Sequence, residues 1–237
     1  MDFAKLNAPT LKELFVKELE SMILSGKLEI GERLPSEREL AEKMQVSRAV
    51  VNSGIAELAR KGFLMVKPRS GVFVLDYRRY GTVETLLSIM NYNGGQLRRD
   101  DIRSILEMKM VVDKLAVELA SENGSDENFK NLEKRLEEMK LVEDKNAKKA
   151  AAAAFEFYHE ITMISGNTLL PLIYRSFRVP VLELWERFIR KYGNEVVCSS
   201  SNYIFAALVK HDKAQAIEGV ETAIAAAIKG KREIYDE

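Results

Sequence analysis

Apolar positions recur at helical spacing near the start of the chain, between Leu11 and Ile23. Thr10 and Glu13 precede and enter this stretch in the order of a capping box, in which each side chain bonds the other residue's backbone N–H. Gly26 follows where a helix C-terminus often places a glycine. Together these signals predict a first helix that begins after Thr10 and ends before Gly26.

The same kind of start signal returns further along the chain. Ser36 and Glu39 form a second capping-box sequence ahead of a short apolar face. After a tight turn at residues 45–46, Ser47 is a natural N-cap for a third helix that runs to about Lys61. The pattern therefore predicts two short helices joined by a turn, which is the arrangement of a helix-turn-helix.

Two short apolar runs, residues 63–66 and 72–75, follow the third helix. The basic segment 67–71 lies between them and contains proline and glycine, so the stretch predicts a β-hairpin. The order helix, helix, turn, helix, hairpin is that of a winged helix-turn-helix. We assign residues 1–76 to this DNA-binding domain.

Beyond residue 76 the pattern changes, and no strand is predicted. Residues 77–83 are interpreted as a linker, and 84–237 as a second domain that forms an antiparallel, all-helical bundle of six or seven helices. The count is open because Pro180 lies inside 169–192, which is one kinked helix or two. The predicted helices are 84–90, 100–121, 128–142, 145–164, 169–192, 194–211 and 212–234. The fold class is therefore mainly α.

The composition fits a cytoplasmic protein of two domains. The 237 residues are 46% hydrophobic and 30% charged, and no run of about 18 apolar residues predicts a membrane span. Residues 1–11 lack the apolar core of a secretory signal. Cys198 is the single cysteine, so an internal disulfide is excluded. We expect a cytoplasmic location and no membrane partner.

The formal net charge is zero, which weighs against nucleic-acid binding because duplex DNA attracts positive surfaces. One basic face is nevertheless sufficient for DNA binding. Double-stranded DNA therefore remains the expected partner of the first domain, and the distribution of charge matters more than its sum.

In a helix-turn-helix the second helix enters the major groove with its N-terminal residues. Arginine there can bond guanine as a fork, and asparagine can pair with adenine. A preceding arginine can reach a phosphate, and the hairpin tip can enter the minor groove or touch the backbone. The alternative is that these are ordinary solvated side chains. The candidate DNA-binding residues are Arg38, Ser47, Arg48, Ala49, Asn52, Arg69, Ser70 and Gly71.

Residues 11–75 resemble the GntR family of bacterial regulators. The resemblance is carried by Leu34-Pro35-Ser36-Glu37-Arg38-Glu39-Leu40-Ala41, by Val46-Ser47-Arg48, by the 58–64 segment and by the hairpin residues 69–74. It implies that the protein binds a DNA operator as a homodimer. It also implies DNA contacts at Arg38, Ser47, Arg48 and Gly71.

One departure from the family lies inside the recognition helix. The family usually has Arg-Glu-Ala where this chain has Asn52-Ser53-Gly54. The replaced arginine normally contacts DNA, so we expect a different operator or weaker binding. Gly54 should also cost the helix about 1 kcal/mol relative to alanine.

The second domain resembles the FadR subgroup of that family over roughly residues 84–235. The clearest pieces are 103–107 and 157–159, followed by Ser165-Gly166-Asn167. The resemblance implies a helical domain that binds a small-molecule effector and dimerises. Operator affinity would then be modulated by the effector.

Many relatives in this subgroup hold a metal through one aspartate and three histidines. The matching positions here carry Phe155, His159, Ser201 and Ala223, and His211 is the second of only two histidines. We expect His211 to lie exposed in an inter-helix turn. We therefore expect no metal and no cofactor, and instead an organic effector, such as a carboxylate or an acyl-type metabolite.

The candidate effector-binding side chains combine cations with aromatic and polar groups, because Arg103 or Arg190 could pair with a ligand carboxylate. The alternatives are that His159 and Trp185 belong to the core, or that the cavity is filled by its own side chains. The candidates are Arg103, Tyr158, His159, Asn167, Arg175, Trp185 and Arg190.

The sequence shows no nucleophile elbow, P-loop, dinucleotide fingerprint or zinc motif. We therefore expect a transcriptional regulator with no catalytic residues. Two other classes stay open at this point, an enzyme and a purely structural dimerisation module.

Overall fold

The computed structural model describes residues 9–90, 92 and 99–235. The first eight residues, which belong to the stretch expected to lack a secretory signal, lie outside the described residues. The chain divides into two units, residues 1–94 and 95–237, each with its own hydrophobic core. The predicted fold class, mainly α with a winged helix-turn-helix and a helical bundle, is confirmed.

The three helices predicted in the first unit all form. They are α1 (Leu11–Leu24), α2 (Glu37–Met44) and α3 (Arg48–Arg60). Capping boxes begin α1 at Thr10 and α2 at Ser36, as the sequence predicted. Gln45 adopts a left-handed conformation, with φ of 53°, and makes the turn between α2 and α3.

The predicted hairpin is the two-stranded antiparallel sheet of β1 (Leu64–Lys67) and β2 (Gly71–Val74), which we call the wing. Leu64 pairs with Val74, and both side chains lie in the core. Arg33 forms an additional isolated bridge with Phe73, so the segment before α2 is attached to the wing.

Gly54 allows α1 and α3 to approach closely. A Cβ at this position would lie 2.6 Å from Cε1 of the buried Phe15 ring. No side chain fits there unless Phe15 moves. The sequence predicted that Gly54 would only weaken the helix, whereas the structure shows that the position packs against an aromatic ring.

Residues 77–90 group with the first unit, through α4 (Tyr77–Tyr80) and α5 (Val83–Met90). The sequence placed 77–83 in a linker and began the second domain at residue 84. The difference has a physical reason in α5, because its polar side chains form hydrogen bonds and an ion pair with α1 and with the C-terminal end of α3. Glu84 pairs with Arg60, the Thr85 hydroxyl donates to the Lys61 carbonyl, and Ser88 donates to Glu20.

The second unit consists of seven α-helices among its described residues, with a short 3-10 turn at Asp144–Asn146. Residues 169–192 form two helices, and Pro180 lies in the first turn of the second, where its missing N–H is not required. The seven helices are α6 (Arg99–Asn123), α7 (Asp126–Lys140), α8 (Ala147–Ile164), α9 (Leu170–Ser176), α10 (Arg178–Tyr192), α11 (Asn194–Val209) and α12 (Lys213–Lys229).

Helix α8 is the central helix of this bundle. It packs against α6, α7, α9 and α10, and Ala150, Ala154 and Phe157 on it are fully buried. The alanine run thus provides close helix packing in addition to helix propensity. Within the described ranges, no helix is both long and apolar enough to cross a membrane.

Candidate functional site

The N-terminus of α3 presents an exposed cation, Arg48. The Ser47 hydroxyl accepts from the Val50 N–H at 3.3 Å and fixes the start of the helix. Arg48 follows directly, is exposed, and forms no ion pair within the described part of the chain. A helix N-terminus carries partial positive charge, so Arg48 and the first turn together favour an anion or a polarised base edge.

The residues predicted to face DNA lie on the exposed side of α3. Ser47, Arg48, Ala49 and Asn52 are exposed, whereas Val51 is fully buried. The Asn52 side chain has a partner on α2. When its amide nitrogen is turned toward α2, this nitrogen lies 2.9 Å from Oε1 of Glu37 and can donate to it. This contact competes with the adenine pairing that the sequence suggested for Asn52.

Arg38 lies at the start of α2, exposed, and its Nε is 2.9 Å from Oε1 of Glu42 one turn later. Such an exposed pair is weak, so a phosphate can replace it at small cost. Arg38 therefore lies where the sequence expected it, with a carboxylate partner that the sequence analysis did not consider.

The wing ends in a turn at residues 67–71, where Arg69 has a φ of 62° and Gly71 a φ of 111°. The Ser70 N–H donates to the Lys67 carbonyl and closes the turn. Both Arg69 and Ser70 are exposed at the tip. The three predicted wing residues are thus adjacent on one exposed loop.

Two further cations at the wing were not among the predicted DNA-binding residues. A Cβ at Gly71 would lie 2.9 Å from Nε of Arg33, so the arginine lies against the glycine. Lys67 places its ammonium 4.9 Å from the centre of the Phe73 ring. Backbone hydrogen bonds between residues 31–34 and β2, together with the bridge between Arg33 and Phe73, bring Arg33 to the wing, and no motif in the sequence signals this pairing.

The second unit contains a partly open cavity of about 120 Å³ between α6, α8, α10, α11 and α12, which we call the effector cavity for the role that we propose for it below. Its walls are mainly apolar, and a few polar side chains also face it, among them Lys109, Asp113, Tyr158 and Arg232. The apolar walls include Leu106, Val181, Leu184, Phe188, Val220 and Ile234.

A buried ion pair lies at one end of the effector cavity. Lys109 and Asp113 are one helical turn apart on α6, and their side chains are only 7% and 2% exposed. The Lys109 ammonium also faces three aromatic rings, with 4.4 Å to the centre of Tyr158, 4.8 Å to Trp185 and 5.5 Å to Tyr174. Asp113 and the cation–π contacts together stabilise an ammonium removed from water.

Several buried polar atoms around this pair have no hydrogen-bond partner within the described residues. They are Oδ1 of Asp113, the hydroxyl of Tyr174 and the hydroxyl of Ser201. Burial raises the pKa of Asp113, against the lowering effect of Lys109. Burial and the Asp113 charge raise the pKa of both Tyr158 and Tyr174, which keeps both phenols protonated.

Two of the predicted effector-binding residues, Tyr158 and Trp185, line the effector cavity. The three predicted arginines do not, because each lies on the surface beside a glutamate. Asn167 instead accepts through Oδ1 from the N–H groups of Leu169 and Leu170, just before and at the first residue of α9. The arginine pairs are Arg103 with Glu107, Arg175 with Glu156, and Arg190 with Glu186.

His159 also lies outside the cavity lining, although the sequence placed it at an inward, ligand-bearing position. Its ring stacks on Phe155 and is tilted against Tyr174, and burial followed by the charge of Arg175 lowers its pKa. Its neighbour Tyr158 faces the cavity, because successive residues of a helix point about 100° apart.

The other two positions that match metal-binding histidines of the relatives lie at or near this cavity, but neither residue is a histidine here. Ala223 lines the cavity, and Ser201 is fully buried beside Tyr158. Among the described residues, no three histidine, cysteine, aspartate or glutamate side chains are grouped to hold a metal. His211 is exposed in the turn between α11 and α12, as predicted.

Lys109 and Asp113 were missed by the sequence analysis, although a signal for them exists. The buried face of α6 runs through Ile102, Leu106, Ala116 and Val117, and the two charged residues fall on that face. Charged residues on a buried stripe are rarely buried without a partner. Their spacing of four residues would have suggested an internal pair.

Comparison with known proteins agrees with both units. The model of the GntR family of bacterial regulatory proteins matches residues 11–74, and that of the FCD domain matches residues 104–226. The chain is 29% identical to the HTH-type transcriptional regulator Mce2R of Mycobacterium tuberculosis over 167 residues, which cover 70% of this chain and 68% of that protein. It is also 29% identical to the HTH-type transcriptional repressor NanR of Klebsiella aerogenes, over 67% of this chain and 60% of NanR.

The solved structure of Lar, which controls expression of the Listeria monocytogenes agr system, has the same fold. The TM-score is 0.62 at 18% identity, over 94% of this chain and 97% of Lar. The curated relatives are transcriptional regulators, which are not enzymes, and regulators of this kind bind DNA operators and effector ligands. The chain therefore belongs to the GntR family of bacterial regulatory proteins, as a DNA-binding transcriptional regulator with an effector-binding FCD domain.

Proposed function

We propose that this regulator reads its operator with the N-terminus of α3 and the wing, as a homodimer in the bacterial cytoplasm. The observation that carries the proposal is Arg48, an exposed cation on the first turn of a capped helix, without an ion-pair partner among the described residues. Cytoplasmic location follows from the partner, because a bacterial operator lies on the chromosome.

The two parts of the DNA-reading surface serve different purposes. Arg48 is placed to read a guanine edge in the major groove, since its guanidinium has the required fork geometry. The wing cations Arg33, Lys67 and Arg69 are suited to phosphates or the minor groove, where they position the protein. Arg38 adds a phosphate contact at the start of α2.

Asn52 changes what this surface recognises. Where the family usually has an arginine, Asn52 faces Glu37 instead of adding a positive charge. Fewer cations at the groove mean fewer neutralised phosphates and less electrostatic affinity. We therefore expect weaker operator binding than in relatives that keep the arginine, or a different operator.

We assign the effector to the cavity between α6, α8, α10, α11 and α12. An effector that binds one arrangement of the dimer better than another changes operator affinity by that difference. Tyr158 and Trp185 are the predicted contact residues that line this cavity, and Lys109 and Asp113 add its charged end. The surface arginines 103, 175 and 190 are left out of the proposed site.

The homodimer is proposed to form through an exposed apolar stripe on α6, at Met108, Val111 and Leu115. These residues recur at helical spacing on the side of α6 opposite its buried face. On α9, which packs against α6, Leu172 and Ile173 are also exposed. A second copy of the chain would cover this surface and hold two recognition helices for two half-sites.

The operator proposal is tested by selecting genomic fragments with the purified protein at two salt concentrations. Enrichment of one palindromic sequence at both concentrations is expected for a specific dimeric reader. Enrichment of nothing, with binding lost as salt rises, would contradict specific recognition, because only counterion release would remain.

The dimer is tested separately by sedimentation equilibrium of Val111→Glu, which places a charge at the centre of the stripe. We expect this variant to be a monomer. Val209→Glu is the matched control, because Val209 is an exposed valine at the end of α11. A dimeric Val111→Glu variant would exclude the α6 stripe as the interface.

A further inference from the structure

The two charges at one end of the effector cavity cancel each other before any ligand enters. Lys109 and Asp113 form a one-to-one pair, and both side chains are more than nine-tenths buried. The nearest groups that face them are the aromatic rings of Tyr158, Tyr174 and Trp185. In an environment of low dielectric, any added charge must be balanced within the cavity or remain costly.

The ion pair nevertheless leaves one strong acceptor unused. Asp113 bonds Lys109 through Oδ2, while its Oδ1 is buried without a partner among the described residues. A buried carboxylate oxygen without a donor costs free energy that a ligand donor can recover. Asp113 also lines the effector cavity, so a molecule in the cavity lies beside this carboxylate group.

The choice of donor follows from charge balance. A ligand carboxylate at this end would place two anions beside one buried ammonium, and it would offer Oδ1 no proton. A ligand ammonium would place a second cation beside Lys109. A neutral hydroxyl donates to Oδ1 and leaves the charge of the site at zero, so it is the favoured head group.

The rest of the cavity determines the size and polarity of the part of the ligand beyond its hydroxyl. A volume of about 120 Å³ with mainly apolar walls matches a molecule near the size of one aromatic ring. Arg232 lines the cavity but is exposed, and its side chain forms no ion pair in the described part of the chain. An anionic group on a larger ligand would therefore lie outward, toward Arg232, and not at Lys109.

We infer that the effector is a small, mainly apolar alcohol or phenol whose hydroxyl donates to Oδ1 of Asp113. This inference rests on the proposed function only in assigning the effector to this cavity. It departs from the carboxylate expected from the sequence, because the arginines that suggested a carboxylate lie on the surface.

The inference is tested with four probes of one size, namely benzyl alcohol, benzoate, benzylamine and toluene, titrated into the full chain by calorimetry. Benzyl alcohol is expected to bind at least about tenfold more tightly than the others, since a site built to bond a hydroxyl discriminates against analogues that lack it. Tighter binding of benzoate or benzylamine, equal binding of toluene, or no binding of benzyl alcohol would each overturn the inference.

Two variants locate the binding. The double variant Lys109→Met with Asp113→Leu removes both charges while keeping similar volumes, and it should bind toluene as well as benzyl alcohol. Ala223→Leu fills the cavity and should abolish binding of benzyl alcohol, whereas Ala225→Leu, at an exposed position of the same helix, should leave it unchanged. Binding that survives Ala223→Leu unchanged would place the probe elsewhere and overturn the inference.

A parallel measurement tests hydroxyl recognition in the cavity separately from the proposed coupling between the cavity and operator binding. Operator affinity is measured by fluorescence anisotropy with and without saturating benzyl alcohol. A probe that binds wild type as expected but leaves operator affinity unchanged would support the chemistry and contradict the proposed coupling. A preference for benzoate that also shifts operator affinity would support the coupling and overturn the hydroxyl assignment.

Discussion

The two units of this protein use charged residues in opposite ways. In the first unit the cations that we propose to contact DNA, Arg48 and Arg69 among them, are exposed to solvent. In the second unit Lys109 and Asp113 are paired in the core. Exposed cations can exchange solvent for phosphates at small cost, whereas a buried pair holds fixed geometry for a small ligand. The net charge of zero therefore carried little information about function, because location determines what each charge does.

The largest effect is expected from breaking the buried pair. Lys109→Ala leaves Asp113 as an uncompensated buried carboxylate and should reduce the free energy of unfolding by about 3–5 kcal/mol. The double variant Lys109→Met with Asp113→Leu should be close to wild type, because an apolar replacement of similar volume removes both desolvation costs. Urea unfolding of both proteins measures this, and equal losses in both would contradict the pair as the cause.

The matching experiment on the first unit removes an exposed cation. Arg48→Ala should weaken operator binding by about 1–3 kcal/mol and relax the sequence preference at one base position, with little change in unfolding free energy. Arg38→Ala should weaken all sequences about equally, because phosphate contacts carry no sequence information. Anisotropy titrations on the selected operator and on single-base variants measure both, with Arg103→Ala in the second unit as the control. An unchanged binding curve for Arg48→Ala would refute the recognition-helix assignment.

A smaller effect, on the free energy of unfolding, is expected from filling the space at Gly54 in the first unit. Gly54→Ala should destabilise the protein by about 1–2 kcal/mol, because the collision with Phe15 outweighs the gain in helix propensity. In a Phe15→Leu background the same change should be neutral or stabilising, since the ring is gone. Thermal and urea unfolding of the four proteins form a double-mutant cycle. Additive losses would mean that Phe15 is not what excludes a side chain at position 54.

The smallest effect concerns His159, whose pKa is lowered by burial and by Arg175. The folded state favours the neutral ring, so its contribution to stability is complete above the ordinary histidine pKa of about 6.5. It is lost as the pH falls below that value and through the lowered pKa of the folded state. His159→Gln should flatten this part of the pH profile of unfolding free energy, and an unchanged slope would contradict the assignment.

The sequence by itself predicted nearly all of the first unit. Thr10, Ser36 and Ser47 are helix caps, Gln45 makes the turn, and residues 67–71 turn the hairpin, because these are local interactions between residues close in the chain. Even so, the contact between Arg33 and Gly71 was missed. It depends on a bridge between segments that are far apart in sequence.

The second unit was predicted as a set of helices, since apolar periodicity is also local. Which side chains share its cavity could not be read from the same pattern, because that depends on how each helix is rotated against its neighbours. The one-residue difference between His159 and Tyr158 decided which ring faces the cavity, and the predicted arginines proved to lie on the surface.

The sequence thus determined the helices, their caps, the hairpin and the family resemblance, all of which follow from interactions within a few residues or from a long linear motif. Only the tertiary structure decided that Lys109 and Asp113 are buried together, that Oδ1 of Asp113 has no donor among the described residues, and that Phe15 requires Gly54. Burial and contact are set by the packing of the bundle helices against one another and by the pairing of α1 with α3. No local stretch of sequence contains that information.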